Sequence, residues 1–480
     1  MNYSVIFPQS YKIVDTGVED FYDDYNAIPE PMKNDSFFGQ DANYRGNQPD
    51  YTDNGDGTVS DNVTGLMWQK EFAYIYYADA ESDAAAATTG GYSDWRVPTI
   101  KELYSLILFT GNQGSAPPET TTPPEDAVPF MNTEYFDFEY PSENRYIDAQ
   151  YISSSEYSGR AINNDQTFFG VNFADGRIKA YPMEHPMLDR KYYARFVRGN
   201  PDYGKNDFVD NGNGTITDAA TGLTWLKYDS GDSQFAEMLA GYTNTDGSMN
   251  WEEALEFCVN LEFGGFDDWR LPNAKELQSI LDYSRGPDAT NSAAIDPAFE
   301  VTPIVNEAGD ADYPAFWAST SFAVLDHYPD AVIVNFGRAM GYIDGHFIDV
   351  HGAGCQRTDP KAGEPSYGFG PQGDVRRVYN YVRPVRGGAE LINSVDVNYD
   401  NGNKLRVYPN PASEYLNISL PDEKFTGIDL IIENMLGQAV AEYELTIDAP
   451  RVDASGLAPG MYIIKLISGG EITYAKFIKE

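Results

Sequence analysis

"DNGDGTVSDNVTGLMW", from Asp53 to Trp68, returns 157 residues later as "DNGNGTITDAATGLTW", from Asp210 to Trp225. Each copy sets Asn-Gly and Asp-Gly, or Asn-Gly twice, just before a run that alternates around β-branched residues. That is the grammar of a tight turn feeding a hairpin strand. "TGLMWQK" and "TGLTWLK" then read as the next strand. The phrase predicts a β-hairpin that the chain uses twice.

The repetition extends outward in register. "GGYSDWRVPTIKELYSLI" (Gly90 to Ile107) recurs as "GGFDDWRLPNAKELQSIL" (Gly264 to Leu281), and "YISSSEYS" (Tyr151 to Ser158) pairs with "FWASTSFA" (Phe316 to Ala323). "GVNFADGRI" (Gly170 to Ile178) pairs with "IVNFGRAMGYI" (Ile333 to Ile343), and "ARFVRGN" (Ala194 to Asn200) with "VRPVRGG" (Val382 to Gly388). A period of roughly 160–190 residues is too long for a solenoid and predicts two tandem globular domains, 1–200 and 201–390. A linker is expected over 391–403. A third unit over 404–480 alternates apolar and polar residues in short runs, as a small β-sandwich does.

Within the second repeat, "NWEEALEFCVNLEF" (Asn250 to Phe263) carries apolar residues at Trp251, Ala254, Leu255, Cys258 and Leu261, the spacing of an amphipathic helix. Asn250 suits its N-cap, and Glu252 and Glu253 suit its positive end. The first repeat offers only the weaker "YADAESDAAAAT". The "KEL" segments after Pro98 and Pro272 predict a second helix in each repeat. Each domain is therefore expected to be α+β: a strand pair, two helices, then strands that close the sheet. "GNQGSAPPETTTPPEDAVP" (Gly111 to Pro129) reads as an extended, mobile surface loop.

The charge balance narrows the function. The chain has 33 basic and 74 acidic residues, a net charge of −41, and a pI near 4.2. Such a chain repels phosphate backbones and anionic membranes, so nucleic acid is a poor partner. From Lys404 onward there are 7 basic and 11 acidic residues, so −37 of the charge belongs to the repeats. No apolar run is long enough to span a bilayer. The first residues lack a signal-peptide pattern, which leaves either a processed or truncated start or a cytosolic chain. Cys258 and Cys355 allow at most one optional bridge.

"VYPNPASEYLNI" (Val407 to Ile418), "NMLGQAV" (Asn434 to Val440), "DASGLAPGMYIIKL" (Asp453 to Leu466) and the closing "KFIKE" resemble the C-terminal sorting domain of Bacteroidetes type IX secretion cargo. That resemblance implies an Ig-like β-sandwich, engagement of the secretion machinery, and surface display or release. The repeats, with "FFGQDANYRGNQPDYTDNGDGTVSDNVTGLMWQK" and the two "DWR" and "VRG" motifs, resemble the C-terminal domain of the Legionella collagen-like adhesin. This family is similar to C-type lectin-like folds, and "DWRLP" also echoes formylglycine-generating enzymes. The resemblance implies a secreted adhesion domain that recognises glycans. Relatives often carry Cys in the closing motif, where this chain has Phe196 and Pro384, which leaves Cys355 as the one partner open to Cys258.

Three stretches are candidates for chemistry. Asp53, Asp56 and Asp61, with their counterparts Asp210, Asn213 and Asp218, offer oxygen ligands to calcium, although not at EF-hand spacing. The preferred reading is structural: Asn-Gly and Asp-Gly supply positive φ, and the Asp side chains cap local N–H groups. Arg96 and Arg270 of the "DWR" motif could bind a sugar, but pairing with an acidic neighbour such as Asp94 or Glu102 is preferred. "DGHFIDVHGAGC" (Asp344 to Cys355) gathers Asp344, His346, Asp349, His351 and Cys355 as metal-ligand types. A regular strand would send His346 and His351 to opposite faces, so a loop with a solvated His pair is expected; the first repeat has only His185 nearby. No nucleophile elbow is visible, and duplicated domains without a duplicated reactive residue point to binding rather than catalysis. The expected partners are glycans or surface proteins, with a homo-oligomer open. The alternative is a subunit of an extracellular fibre or matrix without a small ligand.

Overall fold

The computed structural model describes residues 9–391, apart from 118, 143, 163, 185–189 and 325–326, and residues 406–479, apart from 409–411, 413–414, 420–427, 435–437, 446–450 and 469–470. The molecule is mostly β, with 36% strand against 12% helix, divided among several sheets. Contacts gather the chain into two units, Met1–Glu390 and Leu391–Glu480. His185 and the expected linker, Leu391 aside, lie outside the described residues.

The repeated phrase forms the opening hairpin of each repeat. Tyr51–Asp53 pairs with Thr58–Asp61, which pairs with Leu66–Gln69; Phe208–Asp210, Thr215–Asp218 and Thr224–Leu226 do the same. The closing motif of each repeat then joins the same sheet, setting Val197 opposite Trp68 and Val385 opposite Trp225. Both indoles are fully buried. The two ends of each repeat thus meet on one sheet, which explains why "GLMW" and "VRG" travel together.

The "KEL" helices are short, Ile100–Tyr104 and Ala274–Ser279, and each starts with a capping box: Thr99 with Glu102, Asn273 with Glu276. Each box satisfies N–H groups that the first turn leaves unpaired. Pro98 and Pro272 stand just before these caps rather than within the first turn. The helix Trp251–Val259 has the same device from Asn250 and Glu253, and the indole of Trp251 donates to the carbonyl of Ala318 at 2.9 Å. Its counterpart Ala80–Ala86 has no side-chain cap and buries only Ala80 and Ala84, which accounts for the weaker pattern there. The proline-rich loop is pinned at its base by the Asn112–Val128 bridge. The Tyr146 hydroxyl also donates to the carbonyls of Gln113 and Ala116.

The repeats share their largest sheet. Its eight strands include Gln150–Glu156, Thr167–Asn172 and Arg177–Pro182 from the first repeat and Ala315–Val324, His327–Asn335 and Gln356–Pro360 from the second. Arg177–Pro182 and Gln356–Pro360 meet antiparallel at the seam, with Ile178 opposite Gln356. One apolar cluster also crosses it, and the rings of Phe130 and Phe322 stack at 5.3 Å.

Two lysines tie the repeats together reciprocally. Lys101 Nζ donates to the carbonyl of Ser279 at 2.6 Å, and Lys275 Nζ donates to the carbonyl of Ser105 at 2.9 Å. Each "KEL" helix thereby caps the C-terminal end of its counterpart, where a cation complements the helix dipole. Lys101 also reaches Gly204 and Asn206, and Lys275 also reaches the carbonyl of Asp15. The exchange of equivalent contacts is that of a two-fold interface, built here within one chain.

In the terminal unit, a three-stranded and a four-stranded antiparallel sheet contribute Val407, Leu416 and Val452, and Leu430, Ile464 and Phe477, to one core. Among the described residues no helix is long and apolar enough to cross a membrane. Cys258 and Cys355 are free thiols in separate core clusters, so the optional bridge is not formed.

Burial pushes the Lys275 ammonium down to about 7. The unfolded chain therefore binds more protons than the folded one between about pH 7 and 10, and this residue's contribution to stability rises across that window. Lys275→Met removes the titrating group. In urea unfolding, the stability of the wild type relative to this variant is expected to be more favourable at pH 9 than at pH 7. A gap that shrinks with rising pH would contradict the burial of the charge.

Candidate functional site

The six candidate calcium ligands have partners from their own turns. Asp53 accepts the Gly55 N–H at 2.9 Å and the Lys70 ammonium at 2.6 Å; Asp210 accepts Gly212 at 2.8 Å and Lys227 at 2.9 Å. Asp56 and Asn213 accept the hydroxyls of Thr58 and Thr215. Asp61 takes the N–H groups of Val63 and Thr64, and Asp218 those of Asp207 and Ala220. The turns need Gly55, Gly57, Gly212 and Gly214 at positive φ, a conformation that costs glycine least. No group of three His, Cys, Asp or Glu among the described residues is placed to hold a metal. The structure gives these side chains turn-forming hydrogen bonds.

The "DWR" and "VRG" motifs form one clasp. Arg96 binds Glu102 through two hydrogen bonds of 2.6 and 2.5 Å, and Arg270 binds Glu276 through two of 2.6 Å. Asp94 is taken instead by Arg198, and Asp268 by Arg386, the arginines of the closing motifs. Arg198 and Arg386 also lie over the rings of Tyr92 and Phe266 at 3.9 and 3.8 Å. These side chains bind the protein and are spent on architecture.

Two arginines escaped the sequence reading. Arg195 and Arg383 are fully buried. Arg195 donates to the carbonyls of Gln69 and Asp137 at 2.6 Å each, and Arg383 to those of Leu226, Lys227 and Glu300. They tie the closing strand to the loop behind the opening hairpin. Their matching positions in "ARFVRG" and "VRPVRG" were the available signal.

"DGHFIDVHGAGC" divides its residues. Asp344 and Gly345 occupy a two-residue hairpin turn at positive φ between Met340–Ile343 and His346–Asp349. His346 is exposed while His351 is buried, so the expected solvated pair does not exist. Asp349 accepts the Tyr157 hydroxyl at 2.7 Å and the Gly352 N–H at 2.9 Å, and Cys355 is sealed in the core. Burial, with Arg357 beside it, pushes His351 down to about 4, so its neutral ring donates to Asp374 at 2.8 Å. Burial alone would raise the Asp374 carboxyl, but Arg357 and His351 hold it well below its usual range.

That pair opens onto a cavity of about 320 Å³ at the seam between the repeats. Strand periodicity turns Arg177 and Lys179 toward it from the first repeat while Ile178 enters the core. Arg357 and Asp374 face it from the second repeat, and Phe369 stands at its edge. Lys179 pairs with Asp175, and Arg357 with Asp374. Beside the cavity, a four-stranded sheet peculiar to the second repeat brings Tyr342, Phe347 and Tyr367 together, with ring centroids 4.7–5.4 Å apart. Tyr367 is 61% and Phe369 51% exposed, unlike nearly all other large apolar side chains. Exposed rings beside a lined cavity can stack a ligand and hydrogen-bond it at once. A larger cleft of about 760 Å³ lies beside Lys101, against the "KEL" helix of the first repeat.

Comparison with known families matches residues 57–198 and 214–348 to the Lcl C-terminal domain, and residues 406–480 to the secretion system C-terminal sorting domain. No curated protein matches the chain.

Two outcomes check these assignments. Glu276→Gln is expected to cost about 3–5 kcal/mol in urea unfolding, because it strands a buried guanidinium. Glu102→Gln should cost less, since the Arg96 side chain is 34% exposed. EDTA is expected to leave the melting temperature unchanged; a rise with millimolar Ca²⁺ that EDTA reverses would restore the metal.

Proposed function

Because the chain belongs to the Lcl C-terminal domain family, with two copies of that domain, we propose that it is an adhesin-like binding protein that recognises glycans. Its C-terminal sorting domain marks it for type IX export to the cell surface or secretion and engages that machinery. The observation that carries the glycan reading is the aromatic cluster beside the seam cavity, in which the exposed ring of Tyr367 packs on the half-buried rings of Tyr342 and Phe347. Aromatic faces pack against the C–H faces of sugars, and planar guanidiniums bind their oxygens.

On this reading each repeat is a C-type lectin-like domain and the terminal unit is an Ig-like sandwich. Support for the first comes from the four-stranded sheet of its own on which the two ends of each repeat meet; support for the second comes from two antiparallel sheets around one core. The chain acts by binding and performs no catalysis. The two thiols fit that view, since burial pushes both well above the usual range and away from the reactive thiolate.

The test is a glycan array probed with the full chain in Ca²⁺ and again in EDTA. Binding is expected in both. Tyr367→Ala, on an exposed strand, should weaken it about five- to tenfold, or roughly 1–1.4 kcal/mol, without shifting the melting temperature. Silence on both arrays, with filaments visible by microscopy, would favour a structural subunit instead.

A further inference from the structure

The two-fold relation between the repeats fails at one surface. A segment from residue 9 to residue 50 precedes the first opening hairpin, whereas residues 200–207 precede the second. The longer segment fills a groove beside the second "KEL" helix. Lys275 Nζ donates to the carbonyl of Asp15 and the Phe109 N–H to that of Thr16, both at 2.9 Å. The Thr320 hydroxyl donates to the Asp41 carboxylate at 2.6 Å, and the Arg270 guanidinium lies over the ring of Tyr44 at 5.3 Å. Gly39 sits against Leu255, where an added Cβ would come within 2.9 Å of Val259 Cγ2.

The register of the repeats gives each residue that meets this segment a counterpart: Lys101 for Lys275, Tyr283 for Phe109, Ser155 for Thr320, Arg96 for Arg270 and Glu81 for Leu255. Every one of these counterparts lines the cleft of about 760 Å³ beside the first "KEL" helix. One groove is filled by polypeptide, and its twin is open. Exposure records the difference. Ser319 and Thr320 are 1% and 0% exposed, while Ser154 is exposed and Ser155 half-buried. The Arg270 side chain is 4% exposed and that of Arg96 34%. The corner at Lys101 is closed by Gly204 and Asn206, which take the place of Asp15.

The open groove offers what its twin already uses. Thr320 and Ser155 each accept a helix N–H at 3.0 Å, from Ala274 and Ile100. Thr320 gives its own proton to Asp41, whereas the half-buried Ser155 hydroxyl has no acceptor among the described residues. Arg270 stacks on Tyr44 although Glu276 holds it, since a carboxylate at the edge of a guanidinium leaves the faces free. Arg96 is held in the same way by Glu102, and among the described residues no ring covers it.

We propose that the open cleft docks an extended segment of another protein chain, which lays an aromatic ring on Arg96 and presents a side-chain oxygen to the Ser155 hydroxyl. Tyr367 is not part of this lining and the partner is a protein, so the inference goes beyond the glycan reading.

The test is fluorescence anisotropy of the full chain with a labelled peptide of sequence SFFGQDANYRGN, a copy of residues 36–47. The peptide is expected to bind. Its Tyr44→Ala and Asp41→Ala versions should bind about three- to fivefold more weakly, while Asp41→Asn keeps the oxygen and the affinity. Ser154→Trp in the full chain, which fills the open cleft and leaves the filled groove untouched, should abolish binding; if it unfolds the chain, the peptide series on the wild type still decides. A peptide that does not bind would overturn the proposal, as would equal binding of the two alanine peptides or binding that survives Ser154→Trp in a folded chain. Displacement of the peptide by a glycan that scores on the array would overturn it too, and would move the glycan to this cleft.

Discussion

The reciprocal capping of the two "KEL" helices is the constraint on which the rest of the repeat region depends. Lys101 and Lys275 each reach across to the last turn of the other helix. Burying an ammonium is unfavourable unless its donors are met, and here the acceptors belong to the other repeat. Neither lysine is satisfied unless both repeats are in place. The same helices carry Glu102 and Glu276, which fix the arginines of the "DWR" motifs. Those motifs in turn hold the closing strands by backbone bridges, Arg96 to Val197 and Arg270 to Val385. One helix position therefore aligns the hairpins, the closing strands and the seam.

Much of this was legible because duplicated residues with a local job leave a local pattern. Asn-Gly and Asp-Gly announced the hairpins, Asn250 with Glu253 announced a helix start, and Arg96 was assigned to an acidic neighbour. The turn role of Asp53 and Asp210 followed from the same short-range grammar. These features are decided by residues a few positions apart, so the sequence displays them directly.

What escaped was decided at long range. Lys275 meets Ser105 across 170 positions, and Arg177 meets Thr358 across 181. A "KEL" lysine reads as a solvated helix residue until its acceptors are known. Nothing near Arg177 and Lys179 in sequence signals that Gln356–Pro360 lies beside their strand. His346 and His351 looked paired because they are near in sequence; a hairpin and a core separated them. Tyr367 and Phe369 sat in a Gly- and Pro-rich stretch that hid their strand.

The seam changes what duplication means for valency. Tandem domains usually suggest two copies of a site and an avidity gained by tethering. Here the cavity takes Arg177 and Lys179 from one repeat and Arg357 and Asp374 from the other. The pseudo-symmetry stops at that point, since the aromatic sheet beside it belongs to the second repeat alone. Two gene-duplicated halves thus compose one recess, and each chain presents it once. Strength of attachment to a surface would then scale with how densely the chains are displayed, and not with the number of repeats each one carries.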